Sequence, residues 1–297
     1  MAKKIHAGVA FAMPSFFRAF QRGLDFRFTP RIPPGGESCA FMSVARGLGF
    51  GVIAEKPWAI DGVLLLFLGI ITTYCLGMLP IGLLDRVTVW TKGQRDFAEL
   101  LTAALFSQIT ALVWLRFFLR KYGVGWREAF GLKSSEPVTV AAYGVLAGAL
   151  FIPVAMALQW VCENLMLLAH WKPEAQAAVQ ALQNPDLSLG GKIGFGVVAV
   201  VMAPLVEEPL FRGVLYPVIK QMGYPRLAWW GTSLLFAALH FNEQSFVPLL
   251  AFGLVLAWLY ETYGNLLAPI VAHGFFNAAN FAILMVPDQV AHRLHLT

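Results

Sequence analysis

The sequence predicts an all-α membrane protein, a polytopic bundle of transmembrane helices that encloses a polar cavity. Of its 297 residues, 58% are hydrophobic and only 13% are charged, whereas soluble domains carry about 25% charged residues. The mean hydropathy of +0.65 agrees with this deficit. Apolar runs long enough to cross about 30 Å of hydrocarbon recur along the chain. We therefore interpret the chain as one membrane bundle rather than two soluble domains.

The basic residues mark topology rather than a nucleic-acid surface. The net charge is +5, and the Lys and Arg residues mostly flank the apolar runs, so we expect no nucleic-acid partner. The loops and tails richest in these residues place the N-terminus in the cytoplasm, in what we take to be a bacterial inner membrane. The three cysteines, Cys39, Cys75 and Cys162, are odd in number and two of them lie inside apolar runs, so they predict no disulfide framework. We expect no signal peptide at the Met1 end.

Four regions are predicted in chain order. Residues 1–61 form a basic tail, in which phenylalanines beside arginines indicate either an interfacial helix or a loosely ordered segment. Residues 62–192 hold the N-terminal transmembrane helices and loops. Residues 193–286 form a transmembrane core that carries most of the polar candidates, and residues 287–297 form a C-terminal tail.

Seven transmembrane spans are predicted, with an uncertainty of one. They cover about residues 62–84, 100–119, 137–162, a segment that starts near 192, and then 227–241, 246–260 and 266–286. Residues 126–131 predict a short surface helix. Residues 173–183 predict a short amphipathic helix that begins at a proline, and Gly190-Gly191 predicts a break in the chain.

Ionisable residues interrupt the fourth span at Glu207, Glu208 and Arg212. Such groups cost several kcal/mol each at membrane depth, so they are kept when they are paired or functional. Glu208 and Arg212 have the i,i+4 spacing of an ion pair. Glu207 lies about 100° around the helix and is the candidate general base. Pro204 and Pro209 predict a distorted helix here. The alternative is an ion-pair network that only holds helices together.

Two later spans supply the partners of these carboxylates. His240 follows Phe236 by one helical turn, and His273 and Asn277 share a helix face at i,i+4 spacing. The structural alternatives are a packing histidine for His240 and an interhelical hydrogen-bonding pair for His273 and Asn277.

Together these residue types predict a hydrolytic site. A carboxylate can take a proton from water, a histidine can orient that water, and a His–Asn pair can donate to a developing oxyanion. Alternatively, Glu207, His240 and His273 could hold a zinc ion with water in the open position. The HExxH arrangement of dedicated zinc proteases is absent.

The order Glu-Glu-x-x-x-Arg, Phe-x-x-x-His and His-x-x-x-Asn resembles the CPBP intramembrane proteases. This family includes the CAAX prenyl endopeptidases of the Rce1 type and the bacterial Abi, or bacteriocin-processing, proteins. The resemblance covers about residues 193–283, including Phe252–Tyr260 and Gly264–His273. It implies an all-helical fold with a water-accessible cavity and peptide-bond hydrolysis near a membrane face.

By motif matching, Glu207 would activate water with help from His240, and His273 and Asn277 would stabilise the oxyanion. Glu208 and Arg212 would support them. We favour a glutamate-dependent mechanism without a tightly bound metal, with zinc as the alternative.

The sequence therefore predicts an intramembrane endopeptidase with a peptide or protein substrate and membrane lipid as its partners. Nothing in the chain indicates a prenylated substrate, and the sequence leaves the oligomeric state open. Two other classes compete with this interpretation. Buried Glu and His residues also mark proton-coupled transporters, although no inverted repeat is evident. A non-catalytic immunity-type membrane protein could retain the same fold.

Overall fold

A computed structural model of the chain describes residues 53, 55–79, 92–132, 136–184 and 187–286. These residues belong to one compact unit, Ser43–Thr297, and form helices and turns without any strand. The predicted helix or loose segment near the N-terminus, the C-terminal tail and the end of the first predicted span lie outside the described residues.

Nine helices lie within the described part of the chain. They are α1 (Ile60–Met78), α2 (Lys92–Lys121), α3 (Trp126–Ala129), α4 (Pro137–Leu168), α5 (Ala177–Gln183), α6 (Leu189–Gln221), α7 (Pro225–Ala238), α8 (Glu243–Tyr263) and α9 (Leu267–Leu284). Two π-helical stretches interrupt α6. The prediction of an all-helical membrane bundle is confirmed.

Six of the described helices are long and apolar enough to cross a membrane, namely α1, α2, α4, α6, α8 and α9. The predicted span over about 227–241 is α7, whose 14 residues rise only about 21 Å, less than the hydrocarbon thickness. The described helices therefore give one span fewer than seven. Large apolar side chains point outward from them; Leu64 and Leu68 on α1 are 63% and 60% exposed. The chain is an integral membrane protein.

Two short-range predictions differ from the structure. The helix expected from Pro173 begins only at Ala177, because the residues before it form an extended connection tied to α8 by Gln176 Nε2, which donates to Ser245 Oγ at 2.7 Å. The break expected at Gly190-Gly191 is also wrong. Both glycines lie in the first turn of α6, where the Ser188 hydroxyl accepts from the Gly191 amide and caps the helix.

Helices α4 and α9 approach each other closely because small residues face each other along both. A Cβ added at Gly144 would lie 2.6 Å from the Ala268 carbonyl oxygen, and one at Gly148 would lie 2.8 Å from that of Ala272. This small-xxx-small packing is a common device for joining membrane helices. It sets the position of α9, and therefore of His273, which directly follows Ala272.

Candidate active site

Helix α6 carries the acidic residues in an α-helical stretch, Ala203–Glu208, between π-helical stretches Val198–Met202 and Pro209–Leu215. The distortion predicted from Pro204 and Pro209 therefore takes the form of wider turns within a continuous helix. Proline has no N–H, so each one leaves a backbone carbonyl without its helical donor. π-Helical turns occur frequently at functional sites.

Asn277 on α9 supplies one of the donors that proline removes. The Ala203 amide bonds the Val198 carbonyl in the i→i−5 register, so the next bond would run from residue 204 to the Ala199 carbonyl. Pro204 cannot make that bond. Instead, Asn277 Nδ2 donates to the Ala199 oxygen at 2.8 Å. One amide hydrogen of Asn277 is thereby committed to holding α9 against α6.

Glu208, Arg212 and His273 form a buried ionic network. Glu208 and Arg212 are 0% exposed and His273 is 3% exposed. Arg212 Nη1 donates to Glu208 Oε1 at 2.9 Å, so the pair predicted from the i,i+4 spacing is present. His273 Nδ1 donates to the same oxygen at 3.0 Å. The sequence motifs did not predict this contact between α6 and α9.

Further contacts fix the Arg212 guanidinium. Its Nη2 donates to the Gly253 carbonyl on α8 at 3.0 Å, and its Cζ lies 4.7 Å from the centre of the Phe236 ring on α7. A cation over an aromatic face is stabilised by the quadrupole of the ring, most strongly where water is excluded. Arg212 therefore joins α6, α7 and α8 around one buried charge.

Glu207 differs from Glu208 in burial and in hydrogen bonding. It is half-buried, and no side chain in the described part of the chain donates a hydrogen bond to it. It lies close enough to Arg212 to interact electrostatically with the guanidinium. The two adjacent carboxylates thus have separate environments, since one is locked into an ion pair while the other is partly accessible.

His240 lies in the turn that directly follows α7 and is half-buried. Its Nδ1 donates to the Phe236 carbonyl at 2.7 Å; because a carbonyl only accepts, the proton lies on Nδ1 and the neutral ring has its lone pair on Nε2. The Phe236 ring contacts both imidazoles, with centroids 4.9 Å from His240 and 5.6 Å from His273. Phe236 therefore brings the two histidines and Arg212 around one aromatic ring.

The site residues are thus placed in two groups. Glu208, Arg212 and His273 form one hydrogen-bonded group. The other three lie beside it: His240 contacts the Phe236 ring, Glu207 is the chain neighbour of Glu208, and Asn277 is bonded to Ala199 on the same helix as Glu208. The convergence of Glu207, His240, His273 and Asn277 on one cavity stays a prediction.

The zinc alternative needs three clustered ligands. In the described ranges, no group of three or more His, Cys, Asp or Glu side chains is arranged to hold a metal ion. His240 and His273 each hold Nδ1 against an oxygen atom, which leaves Nε2 as the ring nitrogen open to a ligand. The expectation of a mechanism without a tightly bound metal stays a prediction.

A second polar cluster, absent from the sequence predictions, extends the first one. Tyr216 Oη donates to Glu261 Oε1 at 2.5 Å, and Lys220 Nζ lies 2.6 Å from the same oxygen. Glu208, Arg212, Tyr216 and Lys220 follow one another at i,i+4 spacing, so this stripe could have been found in the sequence. The Gly253 carbonyl could not, because a backbone acceptor leaves no residue signal.

Comparison with protein families matches one segment of the chain. Residues 190–279 match the model of a family described as "Type II CAAX prenyl endopeptidase Rce1-like". This match supports CPBP family membership for that segment. The matched segment contains nearly all of α6, the whole of α7 and α8 and most of α9, and with them all six predicted site residues.

A curated protein aligns with the chain over a segment of similar length. The chain is 37% identical over 82 residues to "Uncharacterized protein YpbD" of Bacillus subtilis (strain 168). The alignment covers 26% of this chain and 39% of that protein, so the chain spans well under half the length of this relative. No solved structure matches the chain.

Proposed function

We propose that the chain is an intramembrane endopeptidase of the CAAX-protease kind, in which Glu207 activates the attacking water. One observation carries this proposal. In the described part of the chain, the half-buried carboxylate of Glu207 accepts no side-chain hydrogen bond, and it lies beside the buried Glu208–Arg212–His273 network. Glu208 is held by an ion pair and hydrogen bonds, whereas Glu207 interacts with Arg212 only electrostatically.

The first step is attack of water on the scissile carbonyl. Glu207 takes a proton from the water, the water oxygen bonds to the carbonyl carbon, and the C=O π electrons move onto the carbonyl oxygen. His240 helps to orient the water, because its Nε2 lone pair can accept a hydrogen bond while Nδ1 remains bound to the Phe236 carbonyl. When the C–N bond breaks, Glu207 returns the proton to the leaving amine.

The oxyanion is stabilised by His273 and Asn277. Since His273 Nδ1 already donates to Glu208, the ring can donate through Nε2 only as an imidazolium, and the Glu208 carboxylate stabilises that cation. Asn277 retains a second amide hydrogen beyond the one donated to Ala199. A single well-placed oxyanion donor is worth about 3–4 kcal/mol. Arg212 acts through Glu208 as a positioning residue.

The substrate class that this site fits is a peptide or protein segment that reaches the membrane. We place the protein in a bacterial inner membrane with its N-terminus in the cytoplasm, on the distribution of Lys and Arg. A prenyl group on the substrate is not part of the proposal.

The test is cleavage of a peptide library by the full-length protein purified in detergent, with products identified by mass spectrometry. Glu207→Gln should abolish cleavage. The matched control is Glu163→Gln, which removes a half-buried carboxylate from α4 away from the site and should leave cleavage unchanged. A wild-type protein that cleaves no peptide, or cleavage that persists in Glu207→Gln, would overturn the proposal.

A further inference from the structure

A groove separate from the candidate active site lies between α1 and α2. Its volume is about 570 Å³, within the range of about 300–1,000 Å³ typical of small-molecule sites. The lining is largely apolar and includes Leu65, Leu68, Gly69, Thr73, Trp114 and Lys121. Leu65 and Leu68 are 56% and 60% exposed, so the groove opens toward the lipid.

Glycines on α1 allow aromatic side chains near the end of α2, and just beyond it, to pack closely against α1. Gly62 and Gly69 are seven residues apart and therefore share a helix face. A Cβ at Gly69 would lie 2.7 Å from the Trp114 ring, and one at Gly62 would meet the Tyr122 hydroxyl. Trp114 Nε1 donates to Thr73 Oγ1 at 3.0 Å, which fixes the indole at the far end of the groove.

The length of the groove matches one leaflet of a bilayer. It extends along α1 from Gly62 to Thr73, a separation of eleven residues that corresponds to a rise of about 16 Å, and half of the hydrocarbon thickness is about 15 Å. Lys121, the last residue of α2, lies at the Gly62 end. An acyl chain that starts at the level of Lys121 would therefore end near Trp114, at the middle of the membrane.

The charge at the open end selects the headgroup. Lys121 is exposed and belongs to the basic region 116–133, which the positive-inside rule assigns to the cytoplasmic side. The cytoplasmic leaflet is the one whose surface is negative because of anionic lipids. We propose that this groove is a binding site for an anionic phospholipid, with one acyl chain along α1 and the headgroup phosphate at Lys121.

The headgroup is tested by native mass spectrometry of the full-length protein in detergent, with added phosphatidylglycerol or phosphatidylcholine of identical chains. Phosphatidylglycerol should be retained more strongly. Lys121→Gln should lower its retention about fivefold, the change expected for about 1 kcal/mol per lysine near the surface. Arg120→Gln is the matched control, since it removes the neighbouring exposed charge that does not line the groove.

The binding site of the acyl chain is tested by filling the groove with a larger side chain. Leu68→Trp should lower the retention of phosphatidylglycerol, whereas Leu64→Trp, at a similarly exposed position outside the lining, should not. Equal retention of the two lipids, or equal effects of the groove variants and their controls, would show lipid bound nonspecifically around the helices and would overturn the proposal. These results do not depend on protease activity.

Discussion

Replacing Glu208 by glutamine keeps the shape of the side chain and removes its charge. In the structure, Glu208 Oε1 accepts from Arg212 Nη1 at 2.9 Å and from His273 Nδ1 at 3.0 Å. The Glu208 and Arg212 side chains are fully buried. The glutamine oxygen can retain both hydrogen bonds. What is lost is the negative charge that interacts most strongly with the buried guanidinium, and Arg212 keeps only neutral hydrogen-bond acceptors, the Phe236 ring and the weaker electrostatic interaction with Glu207.

The loss of this charge should be large. Unit charges 2.9 Å apart attract by roughly 6 kcal/mol at an effective dielectric constant of about 20. Breaking a buried pair by removing one partner destabilises proteins by about 3–5 kcal/mol. For a chain of this size that corresponds to a fall in Tm of about 6–20 °C. Activity should fall as well, because His273 loses the carboxylate that stabilises its imidazolium.

The assay is thermal unfolding in detergent, followed by tryptophan fluorescence, of Glu208→Gln beside Glu207→Gln. The second variant should lose turnover with little loss of stability. A double variant, Glu208→Gln with Arg212→Met, should recover part of the lost stability without activity, because the orphaned charge is gone. Unchanged stability in Glu208→Gln, or an equal loss in Glu207→Gln, would show that the two carboxylates have been assigned wrongly.

Three further predictions concern helix packing, the oxyanion donor and a half-buried lysine. Gly148→Ala places a Cβ 2.8 Å from the Ala272 oxygen, so α9 must move by about 0.6 Å to reach an ordinary contact of 3.4 Å. Turnover should fall about tenfold, since displacements near 1 Å cost about 10²-fold. The control Gly194→Ala, where nothing lies within 4 Å, should be neutral. Asn277→Ala should lower kcat by about 10²–10³-fold, and activity should persist in metal-free protein; stoichiometric zinc whose removal abolishes activity and whose return restores it would contradict this. Burial lowers the pKa of Lys56 below its ordinary 10.5, against a smaller opposing effect of Glu128, so the unfolded state binds the proton more tightly and stability should rise with pH between the lowered value and 10.5. Urea unfolding of Lys56→Met should lack this part of the pH dependence; an identical pH profile in the variant would contradict it.

The sequence predicts well those features that depend on neighbours within one helix. The Glu208–Arg212 pair followed from i,i+4 spacing, and the helical bundle followed from the apolar runs. Helix α7 was overestimated as a span because its apolar run continues past the helix, through the turn at Leu239 and His240. Hydropathy measures the length of an apolar run, and that run can be longer than the helix it contains.

Contacts between helices were beyond the sequence argument. The bond from His273 to Glu208 joins residues 65 positions apart, and it changes how His273 can donate a proton. The bond from Asn277 to Ala199 depends on the π-helical register before Pro204. No residue pattern in the sequence predicted that register. The Gly144–Gly148 spacing was present in the sequence, but its partner helix could be identified only from the structure.

The central claim is that Glu207 performs the chemistry while its neighbour holds the scaffold. It is tested most directly by the single-turnover rate of one cleaved peptide, measured with the full-length protein in excess at equal folded fractions. General-base catalysis contributes about 10²–10⁴-fold, so Glu207→Gln should be slower than Glu163→Gln by at least about 10²-fold. Rates within about twofold of each other would contradict the account.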